Sequence, residues 1–427
     1  MNANLAVKQD WEKLSNDFTQ QLNGHGTATF FQKNAASTSD LAQLSFPSRK
    51  HEEWKYTSFD RVLKNGLTPV VNQMEWNSEW EKLALIEDLE AATIWLLNGE
   101  FQKADQLPDG LSLKHRKSAS EMSEFKPHFE DIFEQINQRF SLDQIELVVE
   151  RNVTLTTPIQ LINIVTNQES WSQHRLHIEV KSGATATLIE RHIDVNEGQS
   201  LSNCRCYISQ EAQSNFHHII LQDGSESASQ LNRAKAEVAR DAVYSRYTIS
   251  LSGKIVRNDC EIALNQENGL GNLYGLYLLE GKEHVDNHTL VDHKVAHCES
   301  NELYKGVLMD RSIGVFNGKV YVQEDAQKTN AYQQNRNLLL SDEATINTKP
   351  QLEIWADDVK CSHGCTVGQL DKEKLFYLQS RGIAADDARA LMVYAFASEV
   401  IEKIPLNPLK NYLFQAIAKK LAFDLNS

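Results

Sequence analysis

Proline is absent from the centre of this chain, and that absence limits the possible folds more than any other feature of the sequence. The eight prolines of the 427 residues stand at positions 47, 69, 108, 127, 158, 350, 405 and 408. Residues 159–349 therefore contain none, although average usage would place about ten there. Because proline has no backbone N–H to donate to a β-ladder, a long stretch without it suits continuous β-structure.

The same stretch carries short runs with the alternation or the residue types of β-strands. Most of the runs are bounded by Gly, Asn, Asp or Ser. They lie at 185–193, 216–221, 243–251, 254–264, 273–279, 303–309 and 313–322, and one more run follows Pro350 at 352–359. Periodicity alone allows a sandwich, a barrel or a β-solenoid, and the large number of short strands without a helical interruption favours the solenoid.

Both ends of the chain differ from the centre, because their apolar residues recur at helical spacing. This holds for residues 1–24, for residues 384–403 and for a last segment that carries leucine or isoleucine at 409, 413, 417 and 421. The sequence predicts a mainly β chain in three parts. These are a mostly helical N-terminal domain at 1–95, a β-helix core at 96–371 and a helical C-terminal domain at 372–427.

Cys361, His363 and Cys365 stand at alternate positions and form the clearest candidate site. If this segment is extended, all three side chains leave the same face. Two thiols and an imidazole are soft ligands that suit iron–sulfur chemistry, zinc or Cu(I). The spacing is not that of a standard zinc finger. The motif thus indicates a metal site without naming the ion.

The overall composition excludes several classes of protein. A net charge of -15 and a pI near 5.4 argue against nucleic acid or an anionic membrane as a partner, since either would need a basic surface. Six cysteines are too few for a disulfide scaffold and fit a reducing compartment. No run approaches the roughly 18 apolar residues of a membrane span, and the acidic first twenty residues are unlike a targeting peptide. We expect a soluble, cytoplasmic protein.

Four histidines at 284, 288, 293 and 297 suggest a second metal site. On strands, His284 and His288 would share one face, and so would His293 and His297. A self-contained metalloprotein is therefore one alternative. Polar residues on a solvated sheet face or beside turns are the simpler interpretation, and no HExxH motif is present.

The remaining candidates have simpler interpretations. Cys204 and Cys206 would share a strand face, and with no histidine or aspartate close in sequence we interpret them, like Cys260 and Cys298, as core packing. The glycines between 269 and 281 match neither a dinucleotide fingerprint nor a Walker A motif. The charged and aromatic strip from 47 to 57 could bind a ligand, but we prefer Trp54 and Tyr56 as anchors on the β core.

Three segments resemble the SufB/SufD family of iron–sulfur cluster assembly proteins. Residues 357–371, followed by 375–383, resemble the C-terminal signature of that family, and the stretch from His284 to Leu308 is similar to it as well. Residues 49–57 resemble the N-terminal element of its SufD branch. No cysteine precedes position 204, whereas SufB is usually longer and has a cysteine-containing N-terminal region. A SufB-like paralogue is the close alternative.

The resemblance implies a right-handed parallel β-helix core flanked by helical domains. It implies a non-catalytic scaffold that pairs with SufB through the β-helix cores and docks the SufC ATPase through its C-terminal helices. A homodimer is allowed when the chain is alone. The sequence contains no motif from which flavin binding could be judged. The alternative from a different class, a β-solenoid carbohydrate enzyme, would need paired carboxylates in a groove, and the sequence shows no such pair.

The resemblance also implies roles for the candidate site. A nascent iron–sulfur cluster would be shared with SufB, with His363 as a ligand beside a SufB cysteine. Cys361 would lie at the same interface. Cys365 departs from the family, because many relatives have a small residue without a thiol at that position.

Overall fold

Two stacked parallel β-sheets, through which the chain winds alternately, form the core of the molecule. The structure, a computed structural model, describes residues 47–59, 62, 68–69, 75–116, 131–166, 170–195 and 198–422. The helix predicted for residues 1–24 lies outside the described residues. A long parallel β-solenoid at the centre confirms the fold class expected from the proline-free stretch.

Among the described residues, strands occupy most of the chain up to residue 368, and three helices follow them. The strands are β1 (Thr68–Pro69), β2 (Ala92–Leu97), β3 (Glu100–Ala104), β4 (Leu111–Arg116), β5 (Gln144–Val149), β6 (Ile159–Val165), β7 (Ser170–Val180), β8 (Thr185–Asp194), β9 (Ser200–Gln210), β10 (Asn215–Gln222), β11 (Ala228–Val238), β12 (Val243–Ser250), β13 (Ile255–Leu264), β14 (Leu270–Leu279), β15 (His284–His293), β16 (Glu299–Leu308), β17 (Ile313–Val322), β18 (Asn330–Leu339), β19 (Thr345–Ile354) and β20 (Lys360–Gly368). The helices are a 3-10 turn (Glu52–Trp54), α1 (Glu79–Ala84), α2 (Ile132–Phe140), α3 (Lys372–Ser380), α4 (Ala385–Ile401) and α5 (Asn407–Lys420).

The strands divide between the two sheets by alternation. Odd-numbered strands from β5 to β19 form one sheet and even-numbered strands from β6 to β20 form the other, all paired in parallel. Paired residues lie between 26 and 32 positions apart along the chain, so one odd strand and one even strand make one turn of the solenoid. Antiparallel pairs, β2 with β3 and β4 with β5, close its first end. At the other end, β19 and β20 each pair on one side only with strands that the structure describes.

One corner of the solenoid repeats a left-handed residue in successive turns. These residues are Asn152, Gly183, Gln213, Asp241, Asn268, His297 and Lys328, with φ between 57 and 69°. Most of them donate a backbone N–H to the carbonyl of the next turn, as His297 does to Gln327 at 2.9 Å. We call this repeated feature the corner ladder. It corrects the placement of His297, which lies in a turn and does not share a strand face with His293.

The corner ladder also explains an error at the end of the core. The run 352–359 was predicted as one strand, but β19 ends at Ile354 and β20 begins at Lys360. The backbone N–H of Lys328 donates to the carbonyl of Asp358, so the chain turns at this point. The predicted strand was wrong beyond residue 354 because its polar residues form the last corner.

Apolar side chains fill most of the space between the two sheets. Phe216, Tyr244, Leu273, Tyr304 and Phe316 belong to this interior and are almost completely buried. The rings pack so closely that a β-carbon at Gly306 would lie 2.2 Å from the Tyr277 ring. A side chain at Gly306 therefore cannot fit without moving that ring.

The C-terminal helices cover the outer face of the even-numbered sheet. Ile219, Tyr247 and Leu276 on that face belong to one apolar cluster with α4 and α5. The residues of α5 at 409, 413 and 417 are buried there, as their spacing predicts for self-packing. Helix α3, in contrast, buries no residue. No helix among the described residues has the length and apolar character that a membrane crossing requires.

The strip at 47–57 is anchored to the core through Trp54. Its ring stacks on Phe133 with 5.4 Å between centroids, and the Arg257 guanidinium lies 3.9 Å from its centre. Tyr56 is 39% exposed. The anchoring interpretation is therefore confirmed for Trp54, whereas Tyr56 is partly exposed in a crevice that Val315 and Lys349 also line.

Candidate site on the last turn of the solenoid

The Cys-x-His-x-Cys motif lies on β20, the last strand of its sheet. Cys361 pairs with Ala331, His363 with Gln333 and Cys365 with Asn335 on β18. These three β18 residues are buried, whereas the residues between them are more exposed. Because strands paired in parallel align their side chains, the motif continues one inward-facing row of the solenoid. The common face predicted by the alternation is therefore present.

Among the described residues, no further turn of the solenoid stacks on this row, so its side chains are accessible to differing degrees. Cys361 is half-buried beside the apolar cluster of Val320, Val322 and Ala331. Burial raises the pKa of the Cys361 thiol. Cys365 is exposed, and its Sγ lies 3.3 Å from Thr348 Oγ1. His363 is exposed as well.

The three side chains do not form a closed three-ligand site by themselves. Among the described residues, they are not one of the groups whose ligand atoms all lie within 4.8 Å of one another. Alternate residues of a strand lie about 6.6–6.8 Å apart, which accounts for the separation. A metal centre at this row would need ligands from outside the strand.

A buried carboxylic acid lies behind the row. Gln333, the neighbour of His363, donates from Nε2 to Glu302 Oε2 at 2.6 Å. Thr289 Oγ1 donates to the other carboxylate oxygen at 2.6 Å. Burial raises the pKa of Glu302 to about 7. Sequence analysis missed this group, and its only signal would have been an acidic residue at an inward position of β16.

Exposed apolar side chains surround the same end of the solenoid. Tyr332 is 46% exposed, Trp355 is 64% exposed and Val367 is 48% exposed. Together with the unpaired outer edges of β19 and β20, they form a surface that we call the terminal face. Large apolar side chains on open strand edges mark a contact surface, because isolated proteins normally protect such edges.

Three of the four histidines of the second candidate have separate side-chain partners. His284 Nε2 lies 2.8 Å from Thr57 Oγ1, His288 lies between Asp286 and Glu53, and His293 bonds Ser300 at 2.9 Å. Burial lowers the pKa of His293 to about 4. None of the four belongs to a metal-binding group among the described residues. The self-contained metalloprotein based on these histidines has no support.

Family comparisons agree with this architecture. Residues 163–396 match the sequence model described as "SUF system FeS cluster assembly, SufBD core domain". The chain belongs to the SufBD family. Residues 5–161 match the model of the "SufBD protein N-terminal region". The last strand and its Cys-x-His-x-Cys motif lie within the matched core.

Relatives within the SufBD family point to the SufD branch. The chain is 30% identical to the iron–sulfur cluster assembly protein SufD of Escherichia coli over 388 residues, which cover 89% of this chain and 90% of that protein. It is 27% identical to a SufBD family protein of Synechocystis, with 93% and 92% covered. It is 28% identical to the chloroplastic protein ABCI7 of Arabidopsis thaliana, with 88% and 83% covered. The resemblance stated from the motifs is confirmed.

Proposed function

We propose that this chain is the SufD-type scaffold subunit of an iron–sulfur cluster assembly complex. The observation that carries the proposal is the inward-facing row of Cys361, His363 and Cys365, left open on the last turn. Iron–sulfur clusters are held mainly by four thiolates, with imidazole as an occasional replacement. One row with separated donors supplies half a site at most, so the other ligands come from a second protein.

The proposed second protein is SufB, bound at the terminal face. A relative with a similar solenoid end offers matching strand edges and apolar side chains, which would cover Trp355 and Val367. The nascent cluster is then cargo that both subunits hold, and their separation removes ligands from it. In the absence of SufB, the same face allows pairing with a second copy of this chain. A SufB-like role with the main ligands in this chain is less well supported, because the row does not converge.

The proposed SufC contact lies on helix α3 and the outer side of α4. Phe376 and Tyr377 on α3 are 70% and 56% exposed. Next to them runs a groove lined by Leu378, Leu391 and Met392. Since α4 and α5 already cover the solenoid, this groove is the part of the tail that is available to a partner. ATP hydrolysis is assigned to SufC, and this chain acts as a non-catalytic subunit.

We place the complex in the cytoplasm. All six cysteines are free, although four of them are buried within the solenoid. Free thiols on an exposed strand, as at Cys365, suit a reducing compartment. Fractionation of cells that produce the chain tests this placement, and recovery outside the cytoplasm would contradict it.

His363→Ala is expected to lower the cluster content of the complex without preventing its assembly. We would produce the variant with SufB and SufC, reconstitute anaerobically and measure the iron–sulfur absorbance. The expected loss is about 10-fold or more, since even an outer-shell partner is worth 10–100-fold in metal affinity. Ser362→Ala changes the opposite face of the same strand and serves as the control. Equal absorbance in both variants would remove His363 from the site.

Phe376→Asp with Tyr377→Asp is expected to release SufC and retain SufB. Loss of a central aromatic contact typically weakens binding by about 30-fold or more. Co-purification with tagged SufC measures the effect. Leu85→Asp is the control, because Leu85 is 72% exposed and is not among the residues that line the groove beside α3. SufC recovery that matches the control would place its docking site elsewhere.

A further inference from the structure

A buried group of metal-binding side chains lies inside the solenoid, far from the terminal face. His174, Glu190, Cys206 and His218 come from the consecutive strands β7, β8, β9 and β10. Six strand spacings separate β8 from β20 in their sheet, which is about 29 Å at the usual 4.8 Å per strand. Solenoid turns stack on both sides of this group. It is therefore a location distinct from the site of the cluster.

The Glu190 carboxylate is at the centre of this group. Its Oε1 lies 2.5 Å from Nε2 of His218, and its Oε2 lies 3.7 Å from Nε2 of His174. The ligand atoms of Glu190, Cys206 and His218 all lie within 4.8 Å of one another. Two ligands on one tetrahedral ion lie roughly 3.3–3.7 Å apart at ordinary Zn–N, Zn–O and Zn–S bond lengths. A small local adjustment therefore brings these atoms onto a single ion.

His174 points to a missing partner. Its side chain is almost fully buried, yet neither ring nitrogen has a hydrogen-bond partner within the part of the chain that the structure describes. A buried polar atom without a hydrogen bond lowers the stability of the folded state by about 1–3 kcal/mol. A metal ion bound to Nε2 on the side of Glu190 would remove the cost at that nitrogen.

His192 and Cys204, which lie beside this group, are already committed to each other. The backbone N–H of Gly99 donates to Oδ1 of Asn163, which leaves Nδ2 of that amide facing Nδ1 of His192 at 3.2 Å. His192 then carries its proton on Nε2, which lies 3.4 Å from Cys204 Sγ. Burial lowers the pKa of His192 to about 3, so the ring stays neutral. This histidine has no lone pair to offer a metal.

His218 differs from His192 in the partner of its second nitrogen. Nδ1 of His218 lies 2.9 Å from the Tyr244 hydroxyl. In this structure Nε2 faces the Glu190 carboxylate, which only accepts, so that nitrogen carries the proton, and the Arg246 Nη1 donor lies 3.5 Å from Nδ1. Because the Tyr244 hydroxyl can also accept, the proton can move to Nδ1 when Nε2 binds a metal. Such an outer hydrogen bond is the usual support of a metal-binding imidazole.

We propose that His174, Glu190, Cys206 and His218 bind one resident divalent transition-metal ion, Zn²⁺ or Fe²⁺. Two imidazoles, one carboxylate and one thiolate are a suitable four-coordinate set for either ion. On binding, the S–H bond of Cys206 breaks, the metal–sulfur bond forms and one proton leaves for solvent. Because the turns above and below close the site, the ion enters during folding and stays while the chain is folded. The proposal does not depend on the cluster or on partner subunits.

The test uses the isolated full chain. It would be unfolded with a chelator, then refolded anaerobically with Zn²⁺, with Fe²⁺ or without metal, and freed of loose ions before elemental analysis. We expect about one ion per chain in at least one metal arm and a higher Tm than in the metal-free arm. The comparison between the two metal arms identifies the ion.

Matched variants locate the ion. Cys206→Ser and His174→Ala are expected to lose at least nine-tenths of it, whereas Cys298→Ser, at another buried cysteine, keeps it. His363→Ala is also expected to keep the ion. The test of this buried metal site is therefore independent of the test of the cluster site at the terminal face. If the first two variants do not refold, the charge-transfer absorption of Co²⁺ bound to a thiolate in the wild type replaces them as the readout. Two results would overturn the proposal. One is a chain that refolds to the native circular dichroism spectrum but holds less than a tenth of a metal ion in every arm. The other is an equal metal content in Cys206→Ser and Cys298→Ser.

Discussion

Asp223→Ala is expected to lower the free energy of unfolding by about 3–5 kcal/mol, the cost of removing one member of a buried ion pair. Arg191 donates from Nε and Nη2 to the two oxygens of Asp223 at 2.9 and 2.8 Å. The same guanidinium bonds the Tyr412 hydroxyl on α5 at 2.9 Å and the carbonyl of Ala84 at 3.2 Å. Without Asp223, the charge of Arg191 would stay buried and uncompensated where the last helix meets the solenoid.

Urea unfolding measures this change. The control is Glu343→Ala, which removes a solvent-exposed ion pair with Arg311 at 3.9 Å. Exposed pairs contribute about 0–1 kcal/mol, so the control should lie close to the wild type. Similar midpoints for the two variants would show that Arg191 finds another partner and that the last helix is held mainly by its apolar face.

Glu302→Gln is expected to stabilise the protein at alkaline pH. The pKa of Glu302 is raised from 4.5 to about 7 in the folded chain, chiefly by burial. The folded state therefore holds a proton that the unfolded state has lost, so stability falls as the pH rises from 4.5 through about 7. Above that range the cost is on the order of 3 kcal/mol. Glutamine is uncharged at every pH and should remove the cost.

The difference between the wild type and Glu302→Gln should therefore be near zero at pH 4.5 and reach its full size at pH 8. The measurement is the free energy of unfolding at these two pH values. Glu299→Gln, at an exposed position of the same strand, is the control and should follow the wild type at both. An equal difference between wild type and Glu302→Gln at the two pH values would show that the carboxyl group is already ionised in the folded chain.

The sequence pattern predicted β-structure and favoured a solenoid over a sandwich or a barrel, because the absence of proline and the recurrence of short strands are local properties of the chain. The parallel β-helix itself was implied by the family resemblance. The starts of β14 and β16 were missed by three and four residues. The missed residues are mostly polar or small, such as Asn272 and Ser300, and these residue types are not typical of strands. The residue types also did not reveal the corner ladder, because its left-handed backbone occurs at residues as different as Gln213 and Lys328.

The candidate site was predictable only where its residues are close in sequence. Cys361, His363 and Cys365 lie on one strand, so alternation placed them on one face. Cys206, in contrast, was interpreted as packing alone, and its apolar surroundings agree with that interpretation. Its polar neighbours Glu190 and His218 come from other strands. The turns vary between 26 and 32 residues, so no fixed period in the sequence brings these residues into register.

The cover that α4 and α5 provide for the even-numbered sheet has a consequence for synthesis on the ribosome. Each solenoid turn contacts mainly its neighbours, so turns can form one after another as the chain emerges. The apolar outer face around Ile219, Tyr247 and Leu276 is complete well before residues 385–420 are made. At 5–20 residues per second, that face stays in water for on the order of ten seconds in every newly made chain. A nascent chain that stalls before α4 exposes a ready surface for chaperones or for aggregation.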